Sequence, residues 1–290
     1  MLVDVGGVEI ATRVVGSGPP LLLLHGYPQT RRVWQRVADD LADRFTVVTT
    51  DLRGYGDSGK PAGDETHATY SKRTMAGDQV EVMRGLGFER FAVAGHDRGA
   101  RVVHRMCLDH PERVVQAALL DILPTSEVYA TTDRQLATMY FHWFFLIRPH
   151  RLAEQLIDGN PDAWMDNVLG LAGGAETSMS DADVDHYKSY FRDPAVVHAT
   201  CEDYRAGASV DLEHDALDAG RRIACPVLVL WGDRGPLTRR EHPLNVWKRF
   251  AHNVTGRPIP GGHFFIDDSP DDVAQAIAEF LEPWRSGRLD

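Results

Sequence analysis

A chain of 290 residues is long enough for one large α/β domain with an inserted subdomain, and 43% hydrophobic with 25% charged residues is a globular balance. The net charge of −11 argues against nucleic acid as a partner, since that needs a basic footprint. Apolar runs such as 21–24 and 227–231 are far too short to span a bilayer, and Met1-Leu2-Val3-Asp4-Val5 lacks the basic-then-apolar pattern of a signal peptide. Cys107, Cys201 and Cys225 are odd in number and unpatterned. They read as free thiols in a reducing compartment, so a cytoplasmic location is expected, with neither a disulfide framework nor a metal site.

In chain order, residues 3–15 alternate as an antiparallel strand pair turning at Gly6-Gly7. Residues 21–24 form a buried strand ending at His25-Gly26-Tyr27-Pro28. Residues 45–50 form another, ending at Asp51. A helix is expected over 75–86, stopped by Gly87. Strand 91–94, a helix over 100–108 and strand 115–120 follow, the last ending at Asp121. After Pro124 the rhythm breaks. Until about Gly220 the chain is rich in Tyr, Trp, Phe, His and Asp and reads as helices without buried strands. We expect a helical cap over 124–220 inserted into a core of 1–123 and 221–290. The α/β rhythm resumes with strand 227–231, a helix over 244–250, residues 257–260 leading to His263, and a last helix over 270–281. Strands alternating with helices predict a mostly parallel sheet flanked by helices, with ligands at the carboxyl ends of its strands.

Gly54-Tyr55-Gly56-Asp57-Ser58-Gly59 has the letters of a dinucleotide-binding loop. Such glycines must open a helix whose N-terminus holds the pyrophosphate. Lys60-Pro61-Ala62-Gly63-Asp64 follows instead, so a plain loop is expected and no organic cofactor is implied.

The most informative run is Gly95-His96-Asp97-Arg98-Gly99. A short apolar strand, a turn flanked by glycines and a helix make a nucleophile elbow, usually written G-x-S-x-G. Aspartate in place of serine changes the chemistry. A carboxylate needs no base to act as a nucleophile at neutral pH, and it can attack an sp3 carbon to form an ester on itself. Water must then release that ester, which requires a base. His263, in Gly261-Gly262-His263-Phe264, is the candidate by its late place in the chain. Asp121 and Asp233 each end a strand, and either can orient the imidazole.

Arg98 and Arg101 begin the elbow helix, where the helix dipole disfavours cations. That cost suggests a purpose: forked, charge-assisted hydrogen bonds to a substrate carboxylate. Within Phe141-His142-Trp143-Phe144-Phe145, His142 and Trp143 can aim N–H donors at a leaving anion or simply pack. Tyr204 is equally ambiguous by itself.

Taken together, these motifs make the chain resemble the fluoroacetate (haloacetate) dehalogenases of the α/β-hydrolase superfamily. The likeness runs nearly end to end. It is carried by His25-Gly26-Tyr27-Pro28-Gln29-Thr30, Gly95-His96-Asp97-Arg98-Gly99-Ala100-Arg101, Leu120-Asp121-Ile122-Leu123-Pro124, His142-Trp143, 201–207 and Gly262-His263-Phe264. The elbow with both arginines and the His-Trp pair are its most specific parts. The resemblance implies the α/β-hydrolase fold with a helical cap, no metal or organic cofactor, and a homodimer. It implies Asp97 as nucleophile, His263 as base and Asp121 as its acid partner. Arg98 and Arg101 would hold the carboxylate of a small anionic haloacid. His142, Trp143 and Tyr204 would hold the departing halide. Members of that family often carry Phe where this chain has Tyr27, which is expected to line the pocket, and Asp233 is an additional carboxylate.

The implied reaction turns a short 2-haloacid and water into a 2-hydroxy acid and halide. Epoxide hydrolysis is the rival reading, because the elbow motif is common to both. It calls for phenols that protonate the opening oxygen, and His142-Trp143 stands where one of them would be.

Overall fold

Two layers of helices enclose one eight-stranded sheet of order β1-β2-β4-β3-β5-β6-β7-β8. The structure is a computed structural model describing residues 1–173, 179–239 and 241–288. The strands are β1 (Leu2–Asp4), β2 (Glu9–Val15), β3 (Pro20–Leu24), β4 (Thr46–Thr50), β5 (Phe91–His96), β6 (Val114–Leu120), β7 (Val227–Gly232) and β8 (Val254–Ile259). β1 and β2 form the antiparallel edge, and β2 also runs antiparallel to β4. Every pair from β4 through β3, β5, β6 and β7 to β8 is parallel. The sheet is therefore mostly parallel, as its sequence rhythm predicts.

Alternation along the inner strands sorts side chains to the two faces. Leu21, Leu23, Ala92, Ala94, Leu228 and Leu230 pack with α1 (Gln35–Leu41) and the last helix, through Val37, Leu41, Val273 and Ile277. Leu22, Leu24, Phe91, Val93, Val227 and Val229 face α2 (Lys72–Gly85) and α3 (Arg98–Asp109). Burial on both faces is why these strands read as unbroken apolar runs.

Between β6 and β7 the chain is helical throughout its described residues. It forms α4 (Thr125–Ala130), α5 (Arg134–Met139), α6 (Phe141–Leu146), α7 (Leu152–Asp158), α8 (Pro161–Gly173), α9 (Asp181–Phe191), α10 (Pro194–Gly207) and α11 (Val210–Leu217). Local chemistry starts several of them. Asp133, Ser180 and Asp193 accept backbone N–H bonds at the starts of α5, α9 and α10, and Pro194 opens α10. The insertion has no separate core. Trp143, Ile157, Met165, Tyr187 and Tyr204 join the same apolar cluster as α2 and α3. After β7 come α12 (Pro243–Phe250), α13 (Phe265–Asp268) and α14 (Pro270–Arg285).

The glycine-rich run 54–59 lies in turns, and no α-helix follows until α2, so the loop reading holds there. The three cysteines are free thiols, Cys107 and Cys201 being buried. Among the described residues no helix is long and apolar enough to cross a membrane.

Candidate active site

The elbow takes its shape from steric necessity. Asp97 sits between β5 and α3 with φ 47° and ψ −117°, a conformation that side-chain-bearing residues rarely adopt. The neighbouring glycines make that turn possible. A Cβ on Gly95 would lie 2.6 Å from backbone of Gly99, and one on Gly99 would lie 2.3 Å from the His25 carbonyl oxygen. A Cβ on Gly26 would reach to 2.4 Å from the Asp97 Cβ. The Asp97 carboxylate is therefore pressed against the loop after β3, where the Tyr27 N–H donates to its Oδ1 at 2.9 Å.

Asp121 follows β6 as Asp97 follows β5, again with positive φ, 53°. Its Oδ2 accepts from His263 Nδ1 at 2.6 Å, and its Oδ1 from the Gly232 N–H at 3.2 Å. Donation through Nδ1 leaves Nε2 as the basic nitrogen of His263, and Nε2 lies 3.9 Å from Asp97 Oδ2. The alternative acid, Asp233, is exposed. It accepts from the Gly261 N–H at 2.9 Å, shaping the loop that carries His263 without touching the ring. Geometry thus separates two carboxylates that look equivalent in sequence.

The charges of the three groups reinforce one another. Burial opposes ionisation of Asp97, but His263, His96, Arg101 and Arg98 outweigh it and hold its pKa below the ordinary value. Burial likewise opposes protonation of His263, yet the hydrogen bond and charge of Asp121, with help from Asp97, raise its pKa above 6.5. Nearby, Asp267 of α13 is half-buried, and the loss of solvent pushes its pKa up to about 7, while its Oδ2 accepts from Gln29 Nε2 at 2.8 Å.

A cavity opens over Asp97 and His263, walled by the insertion. Arg101, Tyr27, His142, Trp143 and Tyr204 line it together with Asp97, Asp121 and His263. Their rings form a connected wall. Tyr27 stacks on His142 at 5.9 Å and meets Tyr204 edge-on at 5.4 Å, while Trp143 and Tyr204 stand 6.1 Å apart. Burial lowers the pKa of His142 to about 4, so it is a neutral imidazole at physiological pH. The Tyr204 hydroxyl is buried and has no hydrogen-bond partner.

The two arginines diverge. Arg101 lies on the cavity wall, its guanidinium 4.6 Å from the centre of the Trp143 ring. Nη1 donates to Leu123 O (3.0 Å) and Thr125 Oγ1 (2.9 Å), while its buried Nε has no partner. Among the described residues no carboxylate pairs with it directly. Burial and the charge of Arg98 lower its pKa. Arg98 is equally buried but does not line the cavity. Nε and Nη2 donate to the Asp203 carboxylate at 2.9 and 2.5 Å, and Nη2 also to its carbonyl oxygen at 2.7 Å. The guanidinium lies 4.2 Å from the Tyr204 ring centre, on the far side of that wall. In this structure the Arg98 fork is engaged inside the protein, whereas Arg101 faces the cavity. The partner of Arg98 is Asp203, which Lys72 and the Tyr55 hydroxyl also contact.

Asp203 was visible in sequence only as part of Cys201-Glu202-Asp203-Tyr204-Arg205, with no role attached. Other wall residues, including Met139, Phe141 and Val168 of the insertion and Arg234 and Pro236 after β7, carry no local signal of their own. Among the described residues no group of three or more His, Cys, Asp or Glu side chains is arranged to hold a metal ion.

This architecture has known counterparts. The α/β hydrolase fold family matches residues 19–270. The chain is 47% identical over 287 residues to a fluoroacetate dehalogenase of Burkholderia sp, spanning 99% of this chain and 94% of that one. It is 30% identical over 289 residues to a soluble epoxide hydrolase of Corynebacterium sp. (strain C12), spanning 97% and 96%. A provisionally described α/β hydrolase from Nostoc sp PCC 7120, known as a crystal structure, superposes with a TM-score of 0.95 at 52% identity over 97% of each chain. The chain is thus a hydrolase of the α/β-hydrolase superfamily and belongs to the fluoroacetate dehalogenase family.

Proposed function

We propose that this enzyme hydrolyses short 2-haloacids, fluoroacetate or its heavier halo analogues, to 2-hydroxy acids through an ester on Asp97. The observation that carries the reading is Arg101: a buried cation on the cavity wall, close to the nucleophile and without a carboxylate of its own. A substrate carboxylate supplies the missing partner. In this reading Arg98 acts at one remove, holding Asp203 and the back of Tyr204 in place.

With the carboxylate on Arg101, the adjacent halogen-bearing carbon faces Asp97. Oδ1 is occupied by the Tyr27 N–H, so Oδ2 attacks, in line with the carbon–halogen bond and from about 3–3.5 Å. Halide leaves toward His142, Trp143 and Tyr204. The unpartnered Tyr204 hydroxyl becomes a donor matched to the developing anion. His263 then takes a proton from water through Nε2, and Asp121 stabilises the imidazolium. The hydroxide attacks the ester carbonyl carbon. Its oxygen is Oδ1, whose developing charge the Tyr27 N–H receives, together with the Arg98 N–H at the first position of α3. Collapse of the intermediate frees the 2-hydroxy acid.

Residues 124–220 act here as a cap on a core of 1–123 and 221–290. Family resemblance supports a homodimer, which sedimentation would test, and the free cysteines support a cytoplasmic location. The chemical step is tested by a single turnover of chloroacetate in heavy-oxygen water. Label entering Asp97 in that turnover, with unlabelled 2-hydroxy acid released, supports the ester route, and label appearing in the product instead of Asp97 overturns it. Halide release from fluoroacetate beside chloroacetate decides whether the wall suffices for fluoride.

A further inference from the structure

The halide wall holds more proton-donating capacity than a halide uses. Tyr204 has a buried hydroxyl with no partner, on the cavity side of Arg98. Tyr27 is a second phenol in the same wall, 5.4 Å from it between ring centres. The Tyr27 oxygen accepts from Trp164 Nε1 at 2.7 Å. That bond fixes the ring and leaves the proton of Tyr27 itself unspent. Burial raises both phenol pKa values well above 10, so both hold their protons at physiological pH.

A departing halide needs only to be solvated. A leaving oxygen that stays attached to the substrate, as in a three-membered oxirane ring, emerges as an alkoxide and needs a proton. An alkoxide is a much stronger base than an unperturbed phenolate (conjugate acids near ~16 against ~10), so a phenol can supply that proton even when its own acidity is reduced.

We infer that the same cavity hydrolyses small epoxy acids, oxirane carboxylates, to dihydroxy acids. The inference rests on the haloacid reading of Asp97 and Arg101. In an oxirane carboxylate the electrophilic carbon is bonded directly to the carboxylate carbon, as the halogen-bearing carbon is in a 2-haloacid. Arg101 and Asp97 therefore meet the same spacing in both substrates.

The step balances as follows. Asp97 Oδ2 bonds to the ring carbon next to the carboxylate, and that carbon's bond to the oxirane oxygen breaks. The oxygen takes the proton of the Tyr204 hydroxyl, leaving a tyrosinate in the wall beside the Tyr27 phenol. Water, losing a proton to His263, adds to the ester carbonyl. The intermediate expels the product oxygen, which takes that proton back from His263. The remaining carboxylic acid on Asp97 returns a proton to Tyr204. The sum is one oxirane and one water giving one diol.

The test uses the full-length enzyme with oxirane-2-carboxylate, chloroacetate and 1,2-epoxypropane in parallel. Diol formation from the oxirane carboxylate is expected, with kcat/KM about tenfold or more above that for the uncharged epoxide. Tyr204→Phe and Tyr27→Phe should each lower kcat for the oxirane carboxylate by about tenfold more than kcat for chloroacetate. Chloroacetate turnover without any diol overturns the inference and leaves the haloacid reading intact. Equal losses on both substrates in both variants overturn the role of the phenols, and equal kcat/KM for the two epoxides overturns the acid class. Diol formation without chloroacetate turnover supports the epoxy-acid activity and sinks the haloacid reading instead.

Discussion

The ends of the sheet and the helical wall above them treat polar atoms in opposite ways. At the sheet ends the groups of the triad satisfy one another. Asp121 uses both oxygens, His263 uses Nδ1, and Asp97 Oδ1 is held by a backbone N–H. Around the cavity, the Tyr204 hydroxyl of α10 and the Nε of Arg101 on the elbow helix α3 are buried and unmet. An unmet buried polar group costs on the order of 1–3 kcal/mol, and on a cavity wall a ligand can supply the missing partner. In the function proposed above, the satisfied side performs the chemistry and the unmet side reads the substrate.

The largest effect expected is at the satisfied side. Asp97→Asn should lower kcat by about 10⁴-fold or more while the fold persists, since Asn tolerates the positive φ of the elbow. Residual turnover within about tenfold of the parent would break the assignment of the two regions. Next, His263→Asn should leave the first step running and trap an ester of haloacid mass on the protein. Intact mass after mixing with chloroacetate reads it directly. The same residue sets a pH limb. His263 must be neutral to activate water, and its pKa is raised above 6.5, so deacylation should decline as pH falls through a midpoint above that value.

The two arginines sharpen the comparison. Arg98→Leu strips the buried Asp203 of its principal partner and should cost about 3 kcal/mol of stability, read by denaturant unfolding. Arg101→Leu should instead raise KM for chloroacetate by about 10- to 100-fold with a smaller stability change. The reverse pattern would exchange their roles. The smallest effect belongs to Asp267. Its folded pKa is raised to about 7, so its contribution to stability is full below about pH 4 and lost as pH rises through 7. Asp267→Asn should therefore stabilise the protein at pH 8, by on the order of 1–3 kcal/mol, and change little near pH 4. Thermal unfolding at both pH values checks it.

Sequence reasoning reached the elbow because its signal is local: a strand, a tight turn that demands glycines, and a helix. The inner strands were legible for a similar reason, since buried parallel strands announce themselves as short apolar runs. The choice between Asp121 and Asp233 was not legible. Both follow strands, and only the packing of the loop at Gly261 against Asp233 sends the His263 ring to Asp121. Nor was the fate of Arg98. Its partner Asp203 is 105 positions away on α10, and nothing in either segment states that they meet. Helix periodicity reports that a face is buried, not which distant charge lies behind it. Trp164 escaped for the same reason, its bond to Tyr27 joining α8 to the loop after β3.

The glycine collar around Asp97 has a consequence for retooling this protein. Positions 26, 95 and 99 have no room for even a methyl group, so the turn and its nucleophile can change only together with the surrounding backbone. Residues such as Met139, Phe141 and Val168 line the cavity from helices of the insertion, away from that collar. A library aimed at new acids would leave the collar untouched and draw its variation from these wall positions, where a change of side chain alters what fits without disturbing how the carboxylate is aimed.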